Sequence, residues 1–271
     1  MAIKADYHLH SSFSGDSTAS MEDMIKTGIE KGLTHLCFTE HHDIDFPYQE
    51  GQNAIFTLNP DAFLYDLIRF KDKYEGKIKL FYGVELGIQK HVKKEILQFV
   101  HENDFDFIIA STHICHGKDP YFDSYYEGRN EKEAFDEYFL TTLENIKSFD
   151  YFDVCGHLDY IARYANERGF RYTYAAYADL IDEILMLLIE KEKGIELNTG
   201  GYRSSLMLPN PTKEILVRYR ELGGDRITIG SDAHKAAQVG DYFTEATALL
   251  KEIGYKYYCI YEKHIPEYKP L

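Results

Sequence analysis

The sequence predicts an α/β fold in which about seven parallel strands close into a distorted TIM-like barrel wrapped by helices. Short runs rich in β-branched and aromatic residues alternate with longer segments of helical period. A length of 271 residues is typical of one such barrel, so residues 1–271 are expected to form a single domain. Neither a GxGxxG motif nor a P-loop follows a predicted strand, which argues against an open nucleotide-binding sheet.

Each predicted strand is a short apolar run with turn-forming or polar residues at its ends. The seven runs span residues 3–8, 34–39, 78–86, 105–112, 152–157, 195–199 and 227–231. A further run, residues 257–261, is a possible eighth strand.

The predicted helices have recognisable start and stop signals. Ser20 and Asp23 form a capping box before the first helix, which ends before Gly32. A proline after Asn59 suits the first turn of the second helix. Later apolar helix faces lie within residues 135–146, 180–188, 212–222 and 241–253. Long irregular stretches cover residues 43–58 and 114–130, and such stretches often cover functional sites.

Composition excludes several classes of partner. The net charge of −15 repels nucleic-acid phosphates, and no stripe of Lys and Arg offsets it, so no nucleic acid is expected as a partner. The four cysteines stand singly in or beside apolar runs, as buried thiols do. The start of the chain lacks a signal-peptide pattern, and no apolar stretch approaches the roughly 20 residues of a membrane span. We therefore expect a cytoplasmic protein without a membrane partner, and leave its oligomeric state open.

Histidines and carboxylates recur where the predicted strands end, which is the catalytic face of an α/β barrel. Side chains two apart in an extended chain point the same way, as in His8-Leu9-His10 and again in Asp232-Ala233-His234. One such residue alone is more often a cap or an exposed side chain. Recurrence at strand after strand indicates a shared site, and the full set is His8, His10, His41, His42, Glu85, His113, His157, Asp232 and His234.

Histidine nitrogens mixed with carboxylate oxygens suit zinc, iron or manganese better than magnesium or calcium. A catalytic zinc commonly has about three protein ligands, so nine candidates imply two or three divalent transition-metal ions. Glu85, at the end of the third strand, is the expected bridging carboxylate. His42 and His116 each follow another strand-end histidine and face either substrate or solvent.

The motifs HLHSSFSGD, FTEHH, GVELG, STHICHG, CGHLDY, ELNTGG and GSDAH resemble, in order and spacing, those of the PHP (polymerase and histidinol phosphatase) superfamily. The resemblance covers nearly the whole chain. Segments ELNTGGYR and GHLDYIARY most resemble histidinol-phosphate phosphatases. The resemblance to the PHP superfamily implies a distorted (β/α)7 barrel with a trinuclear metal centre. The implied ligands are His8, His10, Asp16, His41, Glu85, His113, His157, Asp232 and His234. In FTEHH it assigns the ligand to His41, and makes His42 a neighbouring or substrate contact.

The expected reaction is hydrolysis of L-histidinol phosphate by attack of a metal-bridging hydroxide, in histidine biosynthesis. We assign His8, His10, Glu85 and Asp232 to one ion, Glu85, His113 and His157 to a second, and Asp16, His41 and His234 to a third. Asp232 or His42 would protonate the leaving oxygen. Phosphate would be bound by Arg163 and Arg203, with Lys235 and His116 as weaker substrate contacts.

Two alternatives stay open at this point. The chain is either this phosphatase or another PHP phosphoesterase, acting on a different small phosphate ester or a nucleic-acid end. A metal-binding protein without catalysis is a second alternative, although no expected ligand is replaced. The small cation of histidinol would suit the acidic and aromatic loop 115–123, which follows His113. A surface insertion without substrate contact is the simpler reading of that loop.

Overall fold

Seven parallel strands form a nearly closed barrel in the sequential order β1 to β7. The computed structural model describes residues 3–48 and 55–271. The barrel strands are β1 (Ala5–Leu9), β2 (His35–His42), β3 (Lys79–Gly87), β4 (Phe107–Ser111), β5 (Val154–Cys155), β6 (Gly194–Asn198) and β7 (Ile227–Gly230). The predicted barrel class is confirmed, with each predicted run contributing one of these strands.

The seam between β1 and β7 is closed by few contacts. Leu9 and Ala233 form an isolated parallel bridge, and the His10 amide donates to the Ala233 carbonyl at 2.9 Å. The Ser231 amide donates to the Asp6 carboxylate at 2.8 Å. Because successive strands pair in parallel, their carboxyl ends lie at one end of the barrel.

Helices surround the barrel and are α1 (Met21–Glu30), α2 (Pro60–Lys73), α3 (Lys93–Glu102), α4 (Asp123–Tyr126), α5 (Glu131–Ser148), α6 (Ile161–Glu167), α7 (Ala178–Glu190), α8 (Lys213–Glu221) and α9 (Phe243–Ile253). Ser20 caps α1 as predicted, since its side chain accepts from the Asp23 amide. α4 lies inside the predicted loop 114–130, while predicted loop 43–58 falls partly outside the described residues. Across the described chain no helix has the length and apolarity that a bilayer crossing requires.

The predicted eighth strand lies outside the barrel. Strand β8 (Tyr257–Glu262) pairs antiparallel with β9 (Ile265–Pro270), a strand that the sequence analysis missed. This hairpin packs against the amino-terminal end of the barrel, where the Tyr7 hydroxyl donates to the Tyr261 carbonyl and the His264 amide donates to the Asp106 carbonyl. Because β8 pairs with β9, it covers the amino-terminal end of the barrel and does not join the barrel as an eighth strand.

Candidate metal centre and cavity

The strand-end histidines and carboxylates meet at the carboxyl end of the barrel. His8 on β1 and His10 just beyond it are fully buried there. Their side chains point to the same side because they lie two residues apart in an extended chain. Their Nε2 atoms lie 2.9 Å apart. Oδ1 of Asp232, beyond β7, lies 3.8 Å from the first nitrogen and 3.7 Å from the second. Three ligand atoms thus converge from the two strands that form the seam.

Glu85 lies at the centre of the cluster, with each carboxylate oxygen facing a different group of imidazoles. Its Oε2 is 3.1 Å from His8 Nε2 and 3.0 Å from His41 Nδ1. Its Oε1 is 2.8 Å from His157 Nε2 and 3.2 Å from His113 Nε2, and accepts from the Ser111 hydroxyl at 2.6 Å. This is the arrangement that a bridging carboxylate requires.

A third group of ligand atoms lies at the edge of the cluster. Asp16 Oδ2 is 3.1 Å from His234 Nε2 and 3.6 Å from His41 Nε2. The His10 ring stacks on both neighbouring rings, with centroids 4.0 Å from His41 and 4.3 Å from His234. The loop residue Asp16 therefore comes close to two residues from separate strand ends.

These residues fit divalent metal ions. Within the part of the chain that the structure describes, the buried atoms His41 Nδ1, Glu85 Oε2 and His234 Nε2 form no hydrogen bond, although each lies close to other ligand atoms. Four sets of three described side chains place one donor atom each within 4.8 Å of one another: His10, His41 and His234; His8, Glu85 and His157; His8, His10 and Asp232; His41, Glu85 and His113. Mixed imidazole and carboxylate donors with unpaired atoms directed at common points are the pattern of a transition-metal site.

The cluster holds its carboxylates ionised. Burial raises the pKa of Glu85, but the adjacent His8, His113 and His41 outweigh burial and hold that pKa well below its usual range. Burial likewise raises the pKa of Asp232, but the charges of His8 and Arg163 outweigh burial and hold that pKa well below its usual range. Ionised carboxylates are the form that binds cations.

Two buried carboxylates that the sequence analysis missed orient the histidines. Asp43 Oδ1 lies 2.7 Å from His113 Nδ1, and Glu196 Oε1 lies 2.6 Å from His8 Nδ1. Each contact leaves Nε2 of that imidazole facing the cluster, as second carboxylates do around metal-binding histidines. Glu196 was detectable as a charged residue within the otherwise apolar run GIELN, and Asp43 as the residue that follows FTEHH.

Asp43 fits because residue 87 is a glycine. A Cβ built on Gly87 would lie 1.9 Å from Asp43 Oδ1, so a side chain there would force the Asp43 carboxylate to move. The GVELG motif thus provides Glu85 as a donor and Gly87 as the space for a neighbouring carboxylate.

Arg163 and Arg203 both hold Asp232. Arg163 donates to Asp232 Oδ2 at 2.9 Å, and also to Asn198 and Asn210. Arg203 donates to the carbonyls of Ser231 and Asp232 at 2.7 and 2.8 Å. Asp232 has a φ of 54°, a left-handed conformation that non-glycine residues adopt only when their surroundings enforce it. Arg203 therefore positions the Asp232 backbone.

The structure contradicts the predicted role of His42. Its ring stacks on Phe99 with centroids 3.6 Å apart, and its Nδ1 accepts from the Leu58 amide at 3.2 Å. Burial lowers its pKa to about 4. Neighbouring strand residues point to opposite faces, so His41 faces the cluster and His42 faces away from it. His42 is a packing residue, not an acid or a substrate contact.

A cavity of about 440 Å³ opens beside the cluster. Arg163 lines it, whereas Arg203, Lys235 and His116 do not, and the latter two are exposed. Loop residues Asp119, Tyr121 and Phe122 form part of its wall. Of the two arginines predicted to bind phosphate, Arg163 lines the cavity and Arg203 does not. The loop after His113 does reach the site.

Comparison with known proteins agrees with this geometry. The PHP domain family model matches residues 6–200. A histidinol-phosphatase from Lactococcus lactis is 34% identical over 93% of this chain and 92% of that protein. A probable histidinol-phosphatase from Clostridium acetobutylicum is 32% identical over 97% of this chain and 98% of that protein.

A solved structure has the same fold over its whole length. The Lactococcus lactis histidinol phosphate phosphatase, in complex with zinc, L-histidinol and phosphate, superposes with a TM-score of 0.86 at 31% identity. The superposition covers 97% of this chain and 98% of that one. The seven-stranded barrel, the ligand cluster and these matches together place the chain in one family. This chain belongs to the PHP domain family.

Proposed function

We propose that this protein is a metal-dependent phosphomonoesterase that hydrolyses L-histidinol phosphate to L-histidinol and phosphate. The observation that carries the proposal is Glu85, whose two oxygens face separate imidazole groups beside a cavity that also holds an arginine. Relatives named histidinol-phosphatase over nearly the full chain length support the substrate.

The metal ligands are assigned by donor group. His8, His10 and Asp232 would hold one ion with Glu85, and His113 and His157 would hold another with Glu85. Asp16, His41 and His234 would hold a third. Two or three ions of zinc, iron or manganese would suit these donors. When bound, such ions lower the pKa of water and neutralise charge on the phosphoryl oxygens.

Arg163 and Asp232 complete the chemistry. Arg163 is buried, fixed by Asn198 and Asn210, and lines the cavity, so its guanidinium neutralises phosphate charge without moving. Asp232 is held ionised, and its Oδ1 faces the cluster. It takes a proton from the attacking water and returns it to the oxygen of the breaking P–O bond, so the alcohol leaves neutral.

Asp119 is the group that we assign to the cationic half of the substrate. The other carboxylates lining the cavity, Asp16, Asp43, Glu85 and Asp232, each contact a histidine of the cluster. Among the residues that the structure describes, the Asp119 carboxylate accepts one hydrogen bond, from the Tyr121 amide at 2.8 Å. Burial raises its pKa to about 6. A bound ammonium or imidazolium would stabilise the ionised Asp119 carboxylate and offset its desolvation. The tyrosine rings that line the cavity would add cation–π attraction to the bound cation.

The test is kinetic, on metal-analysed protein. We expect kcat/KM for L-histidinol phosphate to exceed that for an aryl phosphate and for a dinucleotide diester. Diester turnover above that of histidinol phosphate would assign the chain to the alternative, a different PHP phosphoesterase.

A matched pair of variants tests the assignment of Asp119. We expect Asp119→Asn to raise KM for histidinol phosphate roughly 10- to 100-fold, because a charged hydrogen bond is lost, and to leave aryl phosphate hydrolysis unchanged. Asp123→Asn, an exposed change in the same loop, is the control. Equal effects on both substrates would reject the role of Asp119 without affecting the proposed reaction.

A further inference from the structure

A second cavity, of about 330 Å³, lies at the opposite end of the barrel. Its wall includes Asp153, Lys193 and Arg226, which directly precede β5, β6 and β7, and His264 from the turn of the β8–β9 hairpin. It shares no lining residue with the cavity beside the metal cluster.

Most charges around this cavity are paired. Lys191 contacts Asp150, His264 Nδ1 lies 2.9 Å from Asp153 Oδ2, and Arg226 Nη2 lies 3.9 Å from Glu192 Oε1. Lys193 differs from them. Its ammonium lies 5.3 Å above the Phe152 ring and, among the described residues, forms neither a hydrogen bond nor an ion pair. Partial burial lowers its pKa.

A second unpaired group lies in the same wall. Tyr261 is 2% exposed, and its buried hydroxyl has no hydrogen-bond partner among the described residues. Burial raises its pKa far above the usual value, so the hydroxyl stays protonated and able to donate. Buried hydroxyls without a partner are uncommon, because the lost hydrogen bond to water is not replaced.

We propose that this basal cavity binds a small monoanionic carboxylate. Among the lining residues, three lysine and arginine side chains balance three carboxylates, and His264, whose pKa is raised beside Asp153, adds one positive charge when it is protonated. A net charge of at most one matches a monoanionic carboxylate better than a phosphate dianion. Lys193 forms the ion pair and the Tyr261 hydroxyl donates a hydrogen bond. The rings of Tyr151 and Phe152 in the same wall favour a ligand with a flat apolar body.

The bound anion would contact Lys193, which directly precedes β6, the strand between β5 and β7. The Gly194 amide donates to the Asp153 carbonyl, and the Ile195 amide donates to the Arg226 carbonyl, so these strand starts are already joined. The carboxyl ends of the same strands lead to His157, Asn198 and Asp232. Occupancy would therefore add contacts at the amino-terminal ends of the strands that lead to these three residues.

The probe is 4-fluorobenzoate, observed by fluorine NMR in the metal-loaded protein, with inorganic phosphate as a second ligand. We expect saturable benzoate binding that Lys193→Ala weakens at least about tenfold and Tyr261→Phe weakens to a smaller extent. The matched control is Lys213→Ala, which removes an exposed lysine of α8 paired with Glu252. The thermal unfolding temperature of each variant, compared with that of the parent protein, would check that the fold is kept.

Three outcomes would overturn the proposal. The first is absence of saturable binding to the parent protein. The second is binding that Lys193→Ala leaves unchanged, since the probe would then occupy another site such as the metal centre. The third is phosphate binding to the basal cavity more tightly than benzoate, which would reject the carboxylate class.

Discussion

Asp43 Oδ1 lies 2.7 Å from His113 Nδ1, and this contact directs His113 Nε2 to Glu85 Oε1 at 3.2 Å. We expect Asp43→Ala to lower metal affinity and kcat by roughly 10- to 100-fold, because the imidazole loses its fixed orientation. Metal analysis and steady-state kinetics measure both effects. Asp45→Ala, an exposed change two residues away, should alter neither. Normal metal content and turnover in Asp43→Ala would show that Asp43 does not orient the ligand.

Gly87→Ala tests the position of the Asp43 carboxylate from the neighbouring strand β3. The added Cβ would meet the Asp43 carboxylate, so we expect reduced metal content and turnover as in Asp43→Ala. Gly76→Ala is the comparison, since a Cβ there meets nothing within 4 Å and its positive φ of 74° costs only about 1 kcal/mol of stability. If both glycine variants lose stability but keep their metal, the close approach has no role in the site.

Removal of Glu85 should affect two ions at once. We expect Glu85→Ala to lower kcat by more than about 100-fold, beyond the effect of an orienting carboxylate, and to lower bound metal. Arg203→Ala removes hydrogen bonds to the backbone of one ligand, Asp232, and should lower the metal content less than Glu85→Ala does. Elemental analysis of Glu85→Ala that finds every ion, together with near-normal turnover, would reject the bridging role.

The two arginines should differ in substrate dependence. Arg163 lines the cavity, so we expect Arg163→Ala to reduce kcat/KM for monoesters more than for diesters, because only a monoester carries the additional terminal charge. Arg203 holds backbone carbonyls, so Arg203→Ala should reduce both reactions by similar factors. A selective loss of monoesterase activity in Arg203→Ala would instead place that side chain on phosphate.

His42→Ala should destabilise the protein without removing its chemistry. The change removes the stack on Phe99 and leaves the Leu58 amide without its acceptor, which we expect to cost about 2 kcal/mol of unfolding free energy. Chemical denaturation measures the stability, and kcat per bound metal should stay near the parent value. A large fall in kcat at unchanged metal content would restore a catalytic role.

The sequence was most informative where strand ends carry chemistry. The candidate ligand residues at the ends of β1, β2, β3, β4, β5 and β7 were visible because strand periodicity and barrel topology together bring strand ends to one face. His42 was misassigned because the predicted strand ended at Thr39, whereas β2 continues to His42 and its alternation turns that ring away. That all 271 residues form one domain stays a prediction.

For residues that act through other residues, the sequence offers weak signals at most and does not show which residue each of them contacts. Asp43 and Glu196 orient histidines that are distant in the chain, and Arg203 binds carbonyls rather than a ligand. Such contacts depend on side-chain positions that only the folded barrel fixes. The pairing of β8 with β9 was missed for a similar reason, because the exposed run 265–270 lacks a clear apolar alternation.

The seam between β1 and β7 has a consequence for the order of folding. Its contacts join residues as far apart as Asp6 and Ser231, 225 positions along the chain, so they are among the hydrogen bonds of largest sequence separation in the described residues. Loop-closure entropy delays such contacts, and during synthesis β1 leaves the ribosome long before β7 exists. The contacts of His8 and His10 with Asp232 therefore form only after most of the polypeptide has been synthesised.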